Sequence, residues 1–141
     1  MAQAPSSILA LDVGPKRIGV AVASLVARLP RPLVTLQADD ADFFTGLQSI
    51  IETEGATALV VGYPRGLDGQ HTAQTTAIET FTAQLKQRIA LPVHFQDEAL
   101  SSQRAETELE TRGKVYTKGD IDALAASFIL DDWLKDNPEA E

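Results

Sequence analysis

The sequence predicts an α/β fold in which helices flank one mixed sheet of five strands. Two observations carry this prediction. Residues 7–24 contain two apolar, strand-like runs joined by a short Gly-Pro-Lys turn, a pattern typical of antiparallel pairing. From residue 39 onward, helical segments alternate with strand-like runs, which favours parallel strands joined by right-handed crossovers. Three antiparallel strands should therefore be followed by parallel ones.

The predicted order of elements is β-β-β-α-β-α-β-α-α. The strands are expected at 7–13, 17–24, 32–36, 58–62 and 92–96, and prolines at the entry of the third suit a sheet edge. Asp39 and Asp40 are expected to cap the first helix, which ends before Gly55. The other helices are expected at 72–88, from Ser101 or Ser102 to Arg112, and after a capping box at Thr117-x-x-Asp120.

Length and composition indicate one globular domain over residues 1–141, with 44% hydrophobic residues. Residues 131–141 carry five acidic side chains and are expected to form a frayed tail. The absence of cysteine excludes thiol nucleophiles, zinc–thiolate sites and disulfides, and it fits a reducing cytoplasm. No apolar run has the length of a membrane span, so no membrane partner is expected.

The net charge of −8 argues against a protein that coats nucleic acid by bulk electrostatics. Half of that charge lies in the tail from residue 131, however. The rest of the chain has enough lysine and arginine to form a local basic face. The acidity therefore counts against a non-specific coating protein more than against an enzyme.

Acidic residues mark three places where a ligand could bind. Asp12 ends the first apolar run, Asp97 and Glu98 follow the last predicted strand, and Asp120 and Asp122 open the final helix. The carboxyl ends of strands are the usual ligand-binding edge of an α/β sheet. Carboxylate oxygens suit Mg²⁺ or Mn²⁺, which can activate water and stabilise the leaving oxygen of a phosphodiester. The pattern indicates a metal-dependent nuclease.

Each acid also has a structural interpretation when it is considered alone. Asp12 could cap the turn that runs through Lys16, and Glu98 could be a solvated acid before a helix. Asp122 lies in a first helical turn, where the helix dipole favours acids in any case. Spacing does not decide between Asp97 and Glu98, or between Asp120 and Asp122. The chain also lacks a P-loop ending and a Gly-x-Ser-x-Gly elbow.

Four segments, in order and at appropriate spacing, resemble the YqgF/RuvX family. Its members are bacterial ribonuclease H-like proteins described as Holliday junction resolvase-like and as pre-16S rRNA nucleases. The segments are the opening motif at 12–21, the Gly-x-Pro loop at 61–64 with Asp68-Gly69, the Asp-Glu-x-Leu-Ser stretch at 97–101, and the final helix at 118–130. The match covers nearly the whole chain.

The resemblance implies a ribonuclease H-like fold and a role for specific residues. By matching position, it implies that Asp12, Glu98 and Asp122 are the catalytic acids and bind Mg²⁺ or Mn²⁺. The residues expected to bind substrate are Lys16, Arg17, Arg65, Arg104 and Lys118. The sequence departs from the family pattern at three places: Ala99 replaces a usual Arg, Asp120 replaces a basic or neutral residue, and Arg65-Gly66 replaces a more usual apolar-Asn pair.

Three functions follow as alternatives. The preferred one is hydrolysis of phosphodiester bonds in precursor rRNA, at the 5′ end of 16S rRNA. The second is cleavage of branched DNA as a Holliday junction resolvase, for which a symmetric homodimer is expected. The third is a catalytically silent nucleic-acid-binding or regulatory module. An actin-like ATPase is disfavoured, because its two domains need more than 141 residues.

Overall fold

The computed structural model describes residues 6–64, 72–98, 101–113 and 115–140. Its elements follow the predicted order. The strands are β1 (Ser7–Val13), β2 (Arg17–Ser24), β3 (Arg31–Gln37), β4 (Ala56–Tyr63) and β5 (Val93–Asp97). The helices are α1 (Phe43–Glu54), α2 (Ala73–Arg88), α3 (Ser101–Arg112) and α4 (Lys118–Asp136).

The five strands form one sheet in the order β3-β2-β1-β4-β5. β1 to β3 pair in antiparallel fashion, whereas β4 lies parallel to both β1 and β5. The predicted mixed sheet is therefore confirmed, and β3 is an edge strand as its prolines indicated. The interior strands β1 and β4 consist largely of fully buried aliphatic residues, because helices cover both faces of the sheet.

Alternate residues of β1 supply the two hydrophobic cores. Leu9 and Leu11 face α1 and α2, in a cluster that includes Leu47, Ile51, Ile78 and Leu85. Ile8 and Ala10 face α4, in a cluster that includes Ala126, Ile129, Leu130 and Trp133. α3 packs on α4 through a smaller cluster formed by Ala105, Leu124 and Ala125. The period of two along the strand thus separates the helical layers.

The helix starts show where local sequence was and was not sufficient. α4 begins at the expected capping box, in which Thr117 Oγ1 accepts from Asp120 N–H and Asp120 accepts from Thr117 N–H. The prediction that Asp39 or Asp40 caps α1 is wrong. Asp40 accepts from the N–H of Asp42 at 2.8 Å and so forms a turn, and α1 starts only at Phe43.

The C-terminal segment is more ordered than the expected frayed tail. α4 continues through Asp136, and Trp133 and Leu134 are buried against the sheet. Arg28, in the β2–β3 connection, donates to the carbonyl oxygens of Leu134, Asn137 and Ala140 at 2.8, 2.9 and 2.8 Å. The guanidinium thereby satisfies acceptors at the helix C-terminus and opposes its negative dipole end. In the described ranges, no helix is long and apolar enough to cross a membrane.

Candidate active site

The carboxyl ends of β1, β4 and β5 meet at one edge of the sheet, because these strands are parallel. Asp12 is the penultimate residue of β1, and Glu98 follows the last residue of β5. β4 lies between these two strands. For the two acids to meet, one side chain must therefore extend across the end of β4.

Gly62 of β4 makes this crossing feasible. It follows Val61, which pairs with Leu11, so it lies beside Asp12 at the end of the ladder. A Cβ atom built on Gly62 would stand 2.9 Å from Glu98 Oε2 and 2.6 Å from Ile129 Cδ1. Glu98 thus occupies the space that a side chain at position 62 would fill, on the face of the sheet covered by α4.

A second glycine brings Asp122 to the same place. Gly19 of β2 pairs with Asp12 of β1. A Cβ on Gly19 would overlap the backbone carbonyl of Asp122 in the first part of α4. The helix therefore lies directly on the strand, and Asp122 is positioned beside Asp12 because position 19 has no side chain.

The three acids interact strongly. Burial, followed by the nearby charge of Asp122, raises the pKa of Asp12 to about 6, although a hydrogen bond with Glu98 opposes the rise. Burial, the charge of Asp12 and the shared hydrogen bond raise the pKa of Glu98 to about 8, with Asp97 adding to the rise. At neutral pH, Glu98 is thus the protonated partner and donates to the Asp12 carboxylate.

Asp122 has a different partner. Its Oδ2 accepts a hydrogen bond of 2.7 Å from Arg17 Nε, and both side chains are partly buried. In the described part of the chain, no three His, Cys, Asp or Glu side chains form a group that could hold a metal ion as they stand. The structure therefore brings Asp12 and Glu98 into contact and holds Asp122 close by, turned to Arg17.

The donors at this edge nevertheless fit a hard divalent cation. Asp12 and Glu98 offer carboxylate oxygens, and the two side chains lie together over Gly62 with a proton between them. Carboxylates that are desolvated and close together are stabilised in their charged form by a cation. Oxygen ligands suit Mg²⁺ or Mn²⁺ better than softer metals.

The expected substrate-binding residues fall into three groups. Lys16 and Lys118 are exposed, the first in the β1–β2 turn, four residues after Asp12, and the second one helical turn before Asp122. Arg104 lies elsewhere on the α3–α4 surface, where it pairs with Asp132 at 3.2 Å and stacks over Phe128. Arg65 lies outside the described residues, as does Ala99.

Sequence reasoning did not identify Gly19 and Gly62 as determinants of the site. A glycine inside a strand is a signal of close approach by another group, and both residues carried that signal. What approaches each glycine depends on tertiary packing, and the sequence alone does not specify it.

A model of the family described as "RuvX: Holliday junction resolvase" matches residues 6–136. The chain belongs to this family. It is 37% identical to a Maridesulfovibrio salexigens protein over 90% of this chain and 96% of the relative. It is also 37% identical to a Legionella pneumophila protein over 90% of this chain and 94% of the relative. Both of these RuvX relatives carry the name "Putative pre-16S rRNA nuclease".

Solved structures agree with this family fold. Thermus thermophilus RuvC, in complex with a Holliday junction substrate, matches with a TM-score of 0.57 and 14% identity over 94% of this chain and 96% of RuvC. Fowlpox virus resolvase, in complex with Holliday junction DNA, matches with a TM-score of 0.54 and 12% identity over 95% of this chain and 99% of the resolvase. These likenesses confirm the ribonuclease H-like fold that the RuvX resemblance implied.

Proposed function

We propose that this RuvX-family chain is a divalent-metal-dependent nuclease that hydrolyses phosphodiester bonds in structured nucleic acid. Asp12, Glu98 and Asp122 would be its catalytic, metal-binding acids. The observation that carries the proposal is the hydrogen-bonded Asp12–Glu98 pair, held over Gly62 at the ligand-binding edge of the sheet.

Asp12, Glu98 and Asp122 would be the residues that hold Mg²⁺ or Mn²⁺. Nuclease folds of the RuvC and ribonuclease H type generally use divalent metals. Such an ion would supply Lewis-acid polarisation of the phosphate and a nucleophilic water at neutral pH. Glu98 would have to give up its proton before it binds the ion, so metal affinity should rise with pH.

The basic residues at this edge would hold the substrate backbone. Arg17, which binds Asp122, and the exposed Lys16 and Lys118 are the proposed phosphate contacts. Arg65 remains a prediction for the loop after β4. Arg104 would first have to leave Asp132 and Phe128, so it is the weakest of the five predicted contacts.

The preferred substrate is precursor 16S rRNA, because the relatives that match nearly the whole chain are named for it. This role would place the protein in the cytoplasm. The second candidate is a four-way DNA junction, which the family description names and which both solved relatives hold. Cutting two strands symmetrically would require a homodimer. The silent module is the third alternative, and the three acids count against it.

A cleavage assay separates these candidates. The wild-type protein is incubated with Mg²⁺ or Mn²⁺ and either a precursor 16S rRNA fragment or a four-way DNA junction. Asp12→Asn should slow cleavage of the preferred RNA by at least about a hundredfold, since a bound metal contributes several kcal/mol of charge stabilisation. The measured quantity is the initial rate at saturating metal.

Asp131→Asn is the matched control, because Asp131 pairs with Lys135 on the surface of α4, more than two helical turns beyond Asp122. Its cleavage rate should equal that of the wild type. Unchanged cleavage by Asp12→Asn would remove the metal-site assignment. No cleavage of either nucleic acid by correctly folded wild type would favour the silent module, and cleavage of the junction alone would favour the resolvase.

A further inference from the structure

Arg17 is held through one nitrogen of its guanidinium group. Its Nε, rather than a terminal amino group, donates to Asp122 Oδ2 at 2.7 Å. Within the described residues, its two terminal amino groups have no hydrogen-bond partner. The side chain is 33% exposed, so the guanidinium has one fixed inner side and one outer edge that solvent reaches.

The outer edge of a guanidinium is a good phosphate ligand. Its two terminal nitrogens present parallel N–H groups that match two oxygens of one phosphate. A lysine ammonium, which is a point charge, cannot reproduce this geometry. Because Asp122 uses only Nε, the outer edge of Arg17 stays available for such a contact.

Both members of the pair stand on rigid elements. The backbone of Arg17 is part of β2, where it pairs with Gln37 and its carbonyl accepts from Gly14 N–H at 2.9 Å. Asp122 belongs to α4, which lies directly against Gly19. The guanidinium is therefore fixed at its Cα end by the sheet and at its Nε by the helix, which lowers the entropy cost of binding a ligand.

We propose that Asp122 is a positioning residue for Arg17. Together the two residues form a binding site for a substrate phosphate, and this site is already formed before any metal binds. The inference rests on the proposed function, because it needs nucleic acid to bind at this edge of the sheet. It gives Asp122 a second role, in which one carboxylate oxygen orients the arginine beside the acids.

For the neutralisation of Asp122, the proposal predicts a change in nucleic-acid affinity opposite in direction to the change that simple electrostatics predicts. Asp122 is an anion close to the proposed phosphate, so by charge alone its neutralisation should strengthen nucleic-acid binding. If Asp122 positions Arg17, neutralisation should weaken binding, because the charge-assisted hydrogen bond that fixes Nε is replaced at best by a weaker one to an amide oxygen. The direction of the change in Kd therefore decides between the two.

The experiment measures binding without metal. Fluorescence anisotropy follows a short labelled RNA hairpin with a single-stranded 5′ extension, at low salt and in EDTA. The variants are Asp122→Asn, Arg17→Gln, Arg17→Lys and the Arg17→Gln/Asp122→Asn double variant. Arg17→Gln should raise Kd about tenfold and reduce the slope of log Kd against log salt by about one.

Arg17→Lys should bind nearly as weakly as Arg17→Gln, since lysine keeps the positive charge but lacks the two parallel N–H groups of the guanidinium. Asp122→Asn should also weaken binding, and it should not weaken it further in the Arg17→Gln background. Tighter binding by Asp122→Asn, full affinity in Arg17→Lys, or no measurable binding by the wild type without metal would each overturn the proposal.

The chain contains a matched control pair. Arg31 Nη2 binds Glu54 Oε1 at 3.2 Å, and Arg31 opens an edge strand at the opposite end of the sheet. Arg31→Gln and Glu54→Gln should leave RNA affinity unchanged. The assay needs neither metal nor cleavage, so the Arg17–Asp122 phosphate site can fail while the nuclease activity stands. Conversely, a protein without nuclease activity can still show the predicted increase in Kd for Asp122→Asn.

Discussion

The two ends of α4 show opposite electrostatics. At the C-terminal end, Arg28 donates to the carbonyl oxygens of Leu134, Asn137 and Ala140, which lie in the last turn of the helix and just beyond it. At the N-terminal end, burial and the nearby charge of Asp122 raise the pKa of Asp12, and Glu98 holds a proton at neutral pH. At the C-terminal end the protein itself supplies a cation for the carbonyl oxygens, whereas at the N-terminal end carboxyl groups of like charge lie close together.

This difference distinguishes Arg28, which stabilises the fold, from the acids at the other end of α4, which are suited to binding a ligand. Opposite charge and hydrogen bonds at the C-terminal end should raise the free energy of unfolding. Buried, mutually repelling carboxyls lower it, and natural proteins keep such groups where function needs them. Changes at the acid end should therefore alter activity most, and changes at the Arg28 end should alter stability alone.

Gly62→Ala should give the largest effect at the acid end. The added Cβ would stand 2.9 Å from Glu98 Oε2 and 2.6 Å from Ile129 Cδ1, so both side chains must shift and the contact of Glu98 with Asp12 is disturbed. We expect nuclease activity to fall at least about tenfold and the free energy of unfolding to fall by about 1–3 kcal/mol. Initial rates and chemical denaturation measure the two quantities.

Gly46→Ala is the control for that substitution. Position 46 lies inside α1, and a Cβ there would meet no atom within 4 Å. The variant should be more stable by about 0.5–1 kcal/mol, because alanine is the better helix former. Equal activity of the two glycine variants would contradict the assigned role of Gly62.

Arg28→Ala should lower the free energy of unfolding by about 2 kcal/mol, because it removes charge-assisted hydrogen bonds at a helix C-terminus. Nuclease activity below the melting temperature should not change. Denaturant unfolding measures the stability. Arg31→Ala removes one ion pair with Glu54 from an exposed side chain on the edge strand, so it should change the free energy of unfolding by less than about 0.5 kcal/mol. Similar losses in both variants would contradict a special role for Arg28.

The last prediction concerns pH. The folded protein raises the pKa of Glu98 from 4.5 to about 8, so over this range the folded state keeps a proton that the unfolded state has lost. Without metal, stability should therefore be greatest below about pH 4.5 for this group and should fall as pH rises to about 8. Asp12 adds a decline of the same sign between 3.8 and about 6.

Thermal melting in EDTA across this pH range tests the sign. Glu98→Gln cannot lose a proton, so its melting temperature should decline less steeply than that of the wild type. Parallel curves for the two proteins would show that Glu98 does not hold the proton. Added Mg²⁺ should raise the wild-type melting temperature most at the alkaline end, where Glu98 is ionised.

The sequence was sufficient where structure depends on neighbouring residues. The order of elements, the strand that ends near Asp12 and the capping box of Thr117 with Asp120 are local patterns, and all are present. The expected cap of α1 failed because the Asp40 side chain satisfied an earlier turn instead. Such competition between neighbouring hydrogen-bond acceptors is decided by small energy differences.

The arrangement of the acids was less accessible from sequence. Family resemblance, rather than spacing, chose Glu98 and Asp122 over Asp97 and Asp120. The glycines that admit these acids, and the partners of Arg17, Arg28 and Arg104, depend on how distant elements pack. A basic residue expected to bind substrate can equally cap a helix or stack on a ring, and only tertiary structure distinguishes these roles.

The contact between Arg17 and Asp122 also has a kinetic consequence. The two residues are 105 positions apart in the sequence, and they join the second strand to the last helix. Contacts of such long range form late and slow the folding of a chain, because a large loop must close first. A nascent chain thus cannot assemble this edge until α4 has been synthesised and docked. Asp12, which is synthesised early, would therefore stay inert until the other two acids have joined it.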